Sequence, residues 1–93
     1  MAAATCVRLV VYGTVQGVGF RFAAREAASS YLVTGWVRNL PDGSVEIVAS
    51  GSADAVARMT AWAHHGPRYA SVERVQVERM EDSLSLDAFE IRR

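Results

Sequence analysis

The chain has 93 residues, room for one core and no second lobe. Half of it is apolar (51%), enough to fold without a staple, and a lone cysteine excludes both an internal disulfide and a cysteine-built zinc cluster. Ten arginines balance ten acidic residues, so zero net charge argues against a general nucleic-acid binder, and the lack of lysine excludes lysine-dependent chemistry.

The opening Met1-Ala2-Ala3-Ala4-Thr5 has neither the basic nor the apolar region of a signal peptide. No apolar run approaches the ~18 residues of a membrane span. Residues 1–5 are expected to form a disordered arm, on a soluble cytoplasmic protein. From Cys6 to Tyr12, Val7, Leu9 and Val11 alternate with Cys6, Arg8, Val10 and Tyr12, the pattern of a strand with one buried face. Cys6 reads as a buried strand thiol.

The next run, Gly13-Thr14-Val15-Gln16-Gly17-Val18-Gly19-Phe20-Arg21, carries the most information. Three glycines in seven residues permit a tight turn and close approach to a ligand. Phe20, Ala24, Ala27, Ala28 and Tyr31 then fall at helical spacing. Strand, glycine loop and helix start together describe an anion cradle, in which loop N–H groups and the helix dipole face negative charge. Arg21 adds a planar, permanently charged fork suited to phosphate or carboxylate oxygens. On the glycines alone, a simple strand-to-helix turn explains the loop equally well. A nucleotide P-loop is excluded, because its lysine and Ser/Thr are missing. A dinucleotide fingerprint is excluded too, because Phe22 stands where its third glycine is needed.

Val33 to Asn39 reads as a strand with Val33, Gly35 and Val37 on one face and Trp36 on the other. Pro41-Asp42-Gly43 predicts a turn into a strand over Ser44 to Ser50, buried through Val45, Ile47 and Ala49. Asn39, just before that turn, has two readings. Its side chain satisfies local backbone, or its amide holds a water through both donor and acceptor. Arg38 alternates to the opposite face and reads as an exposed structural arginine.

Gly51-Ser52 opens a second helix with Ser52 as N-cap and Asp54 in the first turn. Its core face is Val56, Met59, Trp62 and Ala63, and Gly66-Pro67 stops it. His64 and His65 suit the dipole at a helix end and diverge too far around the helix to share a metal. Trp36 and Trp62 read as packing residues. A long strand over Ser71 to Met80 changes phase between Val72 and Val75, which predicts a bulge. Phe89 and Ile91 form a last strand-like pair. The order β-α-β-β-α-β is the split βαβ arrangement: an α+β, ferredoxin-like sandwich with a mainly antiparallel sheet and two helices on one face. The fold alone does not choose a function.

Gly13-x-Val15-Gln16-Gly17-Val18-x-Phe20-Arg21 resembles the signature of the acylphosphatases. Gly35-Trp36-Val37-Arg38-Asn39-x-x-Asp42-Gly43-x-Val45-Glu46 is similar to that family's second signature. Gly51, Gly66-Pro67-x-x-Ala70-x-Val72 and Phe89 also fit, so the resemblance runs from about Val7 to Arg92 and treats residues 1–93 as a single domain. It implies hydrolysis of a carboxyl–phosphate anhydride to carboxylate and inorganic phosphate, with no metal or cofactor. It implies Arg21 as the phosphate-binding catalytic arginine and Asn39 as the residue that positions water. The backbone N–H groups of Gln16, Gly17, Val18, Gly19, Phe20 and Arg21 complete the cradle. The expected partner is a small acyl phosphate, with no nucleic acid or membrane, and a monomer is expected.

Tyr31-Leu32-Val33 departs from the family's usual Leu-Gly-Leu. Leu32 must take a left-handed conformation or end the helix another way, at a cost of about 1 kcal/mol. A non-catalytic anion-binding domain is the main rival, separated by assay on acetyl or benzoyl phosphate. A single-stranded RNA-binding domain of the same order needs stacking aromatics on two central strands, and Ser44 to Ser50 has none. A metal-carrying relative needs a Cys-x-x-Cys pair that the chain lacks.

Overall fold

The first alternating segment forms β1, Thr5–Thr14, an interior strand of a five-stranded sheet in the computed structural model, which describes residues 4–81 and 87–93. Helix α1 is Phe20–Tyr31, β2 is Thr34–Asn39, β3 is Val45–Gly51, α2 is Ala53–Ala63, β4 is Ser71–Met80 and β5 is Phe89–Arg92. The sheet order is β4-β1-β3-β2-β5. All neighbours are antiparallel except β2 and β5, which run parallel from Gly35↔Phe89 to Arg38↔Arg92. The fold is thus ferredoxin-like α+β, with the expected C-terminal pair serving as a fifth, edge strand. Residues 1–3 of the expected arm lie outside the described residues. Thr5, also assigned to that arm, instead opens β1 opposite Gly51.

The alternation of each strand decides which face is covered. Val7, Leu9, Val11, Val37, Val45 and Ile47 are buried in the core cluster with the apolar stripes of both helices. α1 contributes Phe20, Ala24, Ala27 and Ala28, and α2 contributes Ala55, Val56, Met59 and Ala63. Phe20 is buried and tilts against Trp62, ring centroids 5.3 Å apart. Burying such a ring contributes about 1.5–3 kcal/mol. It also pins the first turn of α1 against α2, next to Arg21.

Local signals behave as their chemistry dictates. The Ala55 N–H donates to Ser52 Oγ at 3.1 Å, capping α2. Opposite Tyr12 and Gly13 stand Arg74 and Val72, so Glu73 is the extra residue of a bulge. Cys6 is buried. His64 and His65 follow α2 and are exposed. Among the described residues, no helix is long and apolar enough to cross a membrane.

Leu32 resolves the departure noted at the end of α1. It adopts φ 61°, ψ 46°, the only non-glycine residue with positive φ among the described residues. Its N–H donates to Ser29 O at 3.4 Å, and the Val33 N–H donates to Ala28 O at 2.9 Å. These are the two bonds of a Schellman ending, made here by a leucine in the place that favours glycine.

Candidate active site

The loop after β1 turns through Gly17 at φ 75° and Gly19 at φ 78°, with Gly19 the N-cap of α1. A Cβ at either glycine meets nothing within 4 Å, so the backbone angle, not crowding, requires glycine there. The open space beside them is the useful consequence. The first helical hydrogen bond of α1 runs from the Ala23 N–H to Gly19 O at 3.1 Å. The N–H groups of Phe20, Arg21 and Phe22 precede it, at the positive end of the helix dipole.

These groups border a concavity of about 120 Å³ shared by Gly17, Gly19, Arg21 and Asn39. Val15, Phe20 and Phe22 supply its apolar wall. Larger hollows of about 470 and 430 Å³ flank Leu32, but neither includes the loop, Arg21 or Asn39. At the small concavity an arginine, an asparagine and a helix N-terminus meet.

Arg21 is half-buried and has no carboxylate partner among the described residues. Its Nη1 donates to the carbonyl oxygen of Arg92, at 3.4 Å, which leads the side chain toward the end of β5. Asn39 ends β2 opposite Val45 and is half-buried. Sheet alternation puts it on the helix-covered side with Gly35 and Val37, and Arg38 on the other.

Of the seven residues expected in the site, Gly17, Gly19, Phe20, Arg21 and Asn39 line the concavity, while Gln16 and Val18 do not. Val18 packs against the core. The Gln16 side chain crosses to the β2–β3 turn, where Nε2 donates to Leu40 O at 2.8 Å and Ser44 O at 2.9 Å. Both carbonyls also belong to the turn's own bonding, Leu40 accepting from Gly43 N–H and Ser44 from Leu40 N–H. Gln16 thus ties the glycine loop to the residue that follows Asn39. No local pattern in the sequence announces this loop-to-loop contact. The turn itself is held by Asp42, which accepts from Ser44 N–H at 2.9 Å and from its hydroxyl; these bonds lower the Asp42 carboxyl below its usual range.

Behind the site, on the open face of the sheet, Glu46 is buried. Arg8 Nε donates to its Oε2 and Arg38 Nε to its Oε1, both at 2.7 Å, and Trp36 Nε1 donates at 3.2 Å. Burial pushes the carboxyl up, but the bonds from Arg38, Arg8 and Trp36, with the Arg38 charge, outweigh it and hold it below the usual range. Arg38 is therefore structural, as expected, and Trp36 is more than packing. Arg92 lies over the Trp36 ring at 4.2 Å. From the sequence neither Phe22 nor Glu46 has a role of its own, Phe22 standing only in place of a glycine and Glu46 only at the end of the second signature. Phe22 falls off the apolar stripe of α1, which was the available signal, and Glu46 alternates to the same face as Arg8 and Arg38.

Among the described residues, no group of three or more His, Cys, Asp or Glu side chains is arranged to hold a metal ion. The site is a small cup bordered by an arginine, an asparagine, two glycines and an apolar wall at a helix N-terminus.

Comparison with known proteins bears on what enters that cup. The family model described as Acylphosphatase matches residues 7–91. The chain is 51% identical to an acylphosphatase of Rubrobacter xylanophilus over 86 residues, 92% of this chain and 78% of the relative. It is 47% identical to one of Anaeromyxobacter dehalogenans, across 99% of both. Its fold is similar to that of a Coxiella burnetii acylphosphatase, with a TM-score of 0.91 at 39% identity, covering 96% of this chain and 93% of that one. Full-length HypF contains a similar fold, TM-score 0.84 at 21% identity, over 98% of this chain but 12% of that protein. With the family signature running through nearly all of its length, and whole-length relatives near half identical, the chain belongs to the acylphosphatase family of enzymes.

Proposed function

We propose that this chain hydrolyses the carboxyl–phosphate bond of small acyl phosphates through attack of a water held by Asn39 on a phosphoryl group held by Arg21. The observation that carries this reading is the shared concavity of Arg21, Asn39, Gly17 and Gly19 at the start of α1. In the proposed step, the Arg21 guanidinium and the backbone N–H groups from Gln16 to Arg21 bind the phosphoryl oxygens. The Asn39 side chain orients a water through its carbonyl oxygen or its NH₂. The water oxygen forms a bond to phosphorus as the bond to the acyl oxygen breaks. The carboxylate leaves, and the water's proton passes to a phosphoryl oxygen.

Phosphoryl transfer asks for positioning and charge neutralisation more than for covalent chemistry. A carboxylate is a good leaving group, so little general-acid help is needed. That matches a site whose polar members are an arginine, an amide and backbone N–H groups. The proposal treats residues 1–93 as one domain that acts as a cytoplasmic monomer, without a cofactor.

The test is turnover of acetyl phosphate and benzoyl phosphate, with and without a chelator. Release of inorganic phosphate at an unchanged rate in chelator is expected. No turnover of either substrate, with inorganic phosphate still binding, would instead leave an anion-binding domain. Loss of turnover on chelation would overturn the metal-free step.

A further inference from the structure

The polar groups of the concavity account for a phosphoryl group and a water, and one part of its wall is left over. Phe22 is 60% exposed, one of four large apolar side chains on the surface among the described residues. Of those four, Phe22 alone lines the concavity of Arg21 and Asn39. Helical phase explains its exposure. It lies two residues after the buried Phe20, about 200° around α1, and the buried residues of the helix do not include it. The core therefore gains nothing from a phenylalanine at this position.

The other apolar wall groups present almost no surface, Val15 and Phe20 being 1% and 2% exposed. Of the three apolar lining residues, Phe22 is the one with surface left to offer a bound molecule. Arg25, one turn along, lies with its guanidinium carbon 5.4 Å from the Phe22 ring centroid. That contact restrains the ring on the first turn of α1. In an acyl phosphate the carbonyl carbon is one oxygen away from phosphorus. A phosphoryl group seated against Arg21 therefore delivers its acyl group to the rim.

We infer that Phe22 binds the acyl group and makes this enzyme favour acyl phosphates with a flat apolar or aromatic acyl part over those carrying only a methyl group. The inference rests on the phosphoryl assignment above and deepens it. A ring stacked against Phe22 gains what aromatic pairs gain, about three- to tenfold in binding, whereas a methyl group gains little. Phe22 acts here as a specificity residue and takes no part in the chemical step.

The experiment compares kcat/KM for benzoyl and acetyl phosphate in the wild type, Phe22→Ala and Phe22→Tyr. Ratios of variant to wild type cancel the different intrinsic reactivities of the two substrates. Phe22→Ala is expected to lose about three- to tenfold on benzoyl phosphate and less than about twofold on acetyl phosphate. Phe22→Tyr, which keeps the ring, is expected to retain the preference. Inhibition by inorganic phosphate should be unchanged in both variants. Because the side chain is exposed, thermal unfolding should match the wild type. Equal losses on the two substrates, or none on either, would overturn the role of Phe22 while leaving the phosphoryl assignment standing. Failure of the wild type to turn over either substrate would remove both.

Discussion

Arginines on the two sides of the sheet are held in opposite ways. On the open face, Arg8 and Arg38 converge on the buried Glu46, each at 2.7 Å. At the start of α1, Arg21 has no carboxylate partner among the described residues and meets only a main-chain oxygen, at 3.4 Å. Lack of a carboxylate is not distinctive by itself, since Arg25 and Arg74 lie over aromatic rings instead. What distinguishes Arg21 is lack of a carboxylate combined with its place in the glycine-loop concavity. A neutralised arginine fixes strands relative to one another. An unneutralised one, beside a helix N-terminus, keeps its charge for an anion.

The sharpest way to break this comparison is to remove one arginine from each side. Arg21→Ala is expected to lower kcat on acetyl phosphate by about 10²–10³, or roughly 3–4 kcal/mol on the barrier. Its thermal unfolding should stay within about 0.5 kcal/mol of the wild type. Arg21→Lys should not restore the rate, because a point charge does not reproduce the fork. Asn39→Ala is expected to lose a similar factor in kcat. Arg38→Ala should reverse the pattern, losing stability and keeping kcat. Steady-state kinetics and thermal denaturation on the four variants decide the matter. An Arg38→Ala enzyme as inactive as Arg21→Ala would erase the distinction.

Next in size is the carboxylate that neutralises the open face. Glu46→Gln keeps the shape but leaves Arg8 and Arg38 without their charge partner. Removing one member of a fully buried pair costs about 3–5 kcal/mol. Arg8 and Arg38 keep 33% and 45% of their side-chain surface in solvent, so water recovers part of that cost. A loss of about 2 kcal/mol in urea unfolding at neutral pH is expected. The pH dependence has a definite sign. The folded Glu46 carboxyl is held below its unfolded value, so its stabilisation is complete above about pH 5, clear of an unfolded glutamate near ~4.3. It fades as pH falls through the lowered folded value. The gap between wild type and Glu46→Gln should therefore close in acid. Asp42, lowered by its bonds to Ser44, leaves the variant with some acid sensitivity of the same sign.

A smaller effect tests whether the site's two halves are coupled. Gln16→Met removes both bonds from the glycine loop to the β2–β3 turn. Leu40 O and Ser44 O each keep a main-chain donor, so the stability loss should be only about 1 kcal/mol. The loop and Asn39 would then hold their separation less tightly. Misplacement of reacting groups is costly, and a fall of about tenfold in kcat is expected, measured against unchanged inhibition by inorganic phosphate. Equal kcat in variant and wild type would show that the tether serves folding alone.

These contrasts were unequally legible in the sequence. Alternation in β1, β2 and β3 identified the core faces, because a period of two is imposed by the strand backbone itself. Ser52 as a cap and the bulge near Glu73 were also legible, since each follows from a few neighbouring residues. Arg21, which ends the first signature, and Asn39, which lies inside the second, were picked out by those motifs, and the structure brings the two to one concavity. The parallel pairing of β5 with β2 was not, because nothing in Phe89-Glu90-Ile91-Arg92 names its partner. The Gln16 tether was hidden for the same reason: it joins two loops through a side chain and two carbonyls. Glu46 alternates off the core face of β3 and is buried all the same, because Arg8, Arg38 and Trp36 bond to it from two other strands.

Leu32 gives the smallest predicted effect and lies outside both arginine clusters. Its left-handed backbone is strained for a residue with a Cβ, and its side chain is 82% exposed, so burial returns nothing for that strain. Glycine adopts the same angles freely, although it also gains freedom in the unfolded chain. The two terms oppose each other, and the strain is the larger. Leu32→Gly is expected to stabilise the protein by about 1 kcal/mol, a rise in Tm of roughly 4–8 °C for a domain of this size. Both Schellman bonds are made by main-chain groups of residues 28, 29, 32 and 33, so the substitution leaves them in place. The loop from α1 into β2 should keep its path, Asn39 should keep its position, and kcat should not change. A loss of activity in a more stable Leu32→Gly enzyme would mean that the strain at the end of α1 is transmitted along β2 to Asn39, the residue proposed to hold the water, and that the separation between scaffold and site drawn from the arginines is incomplete.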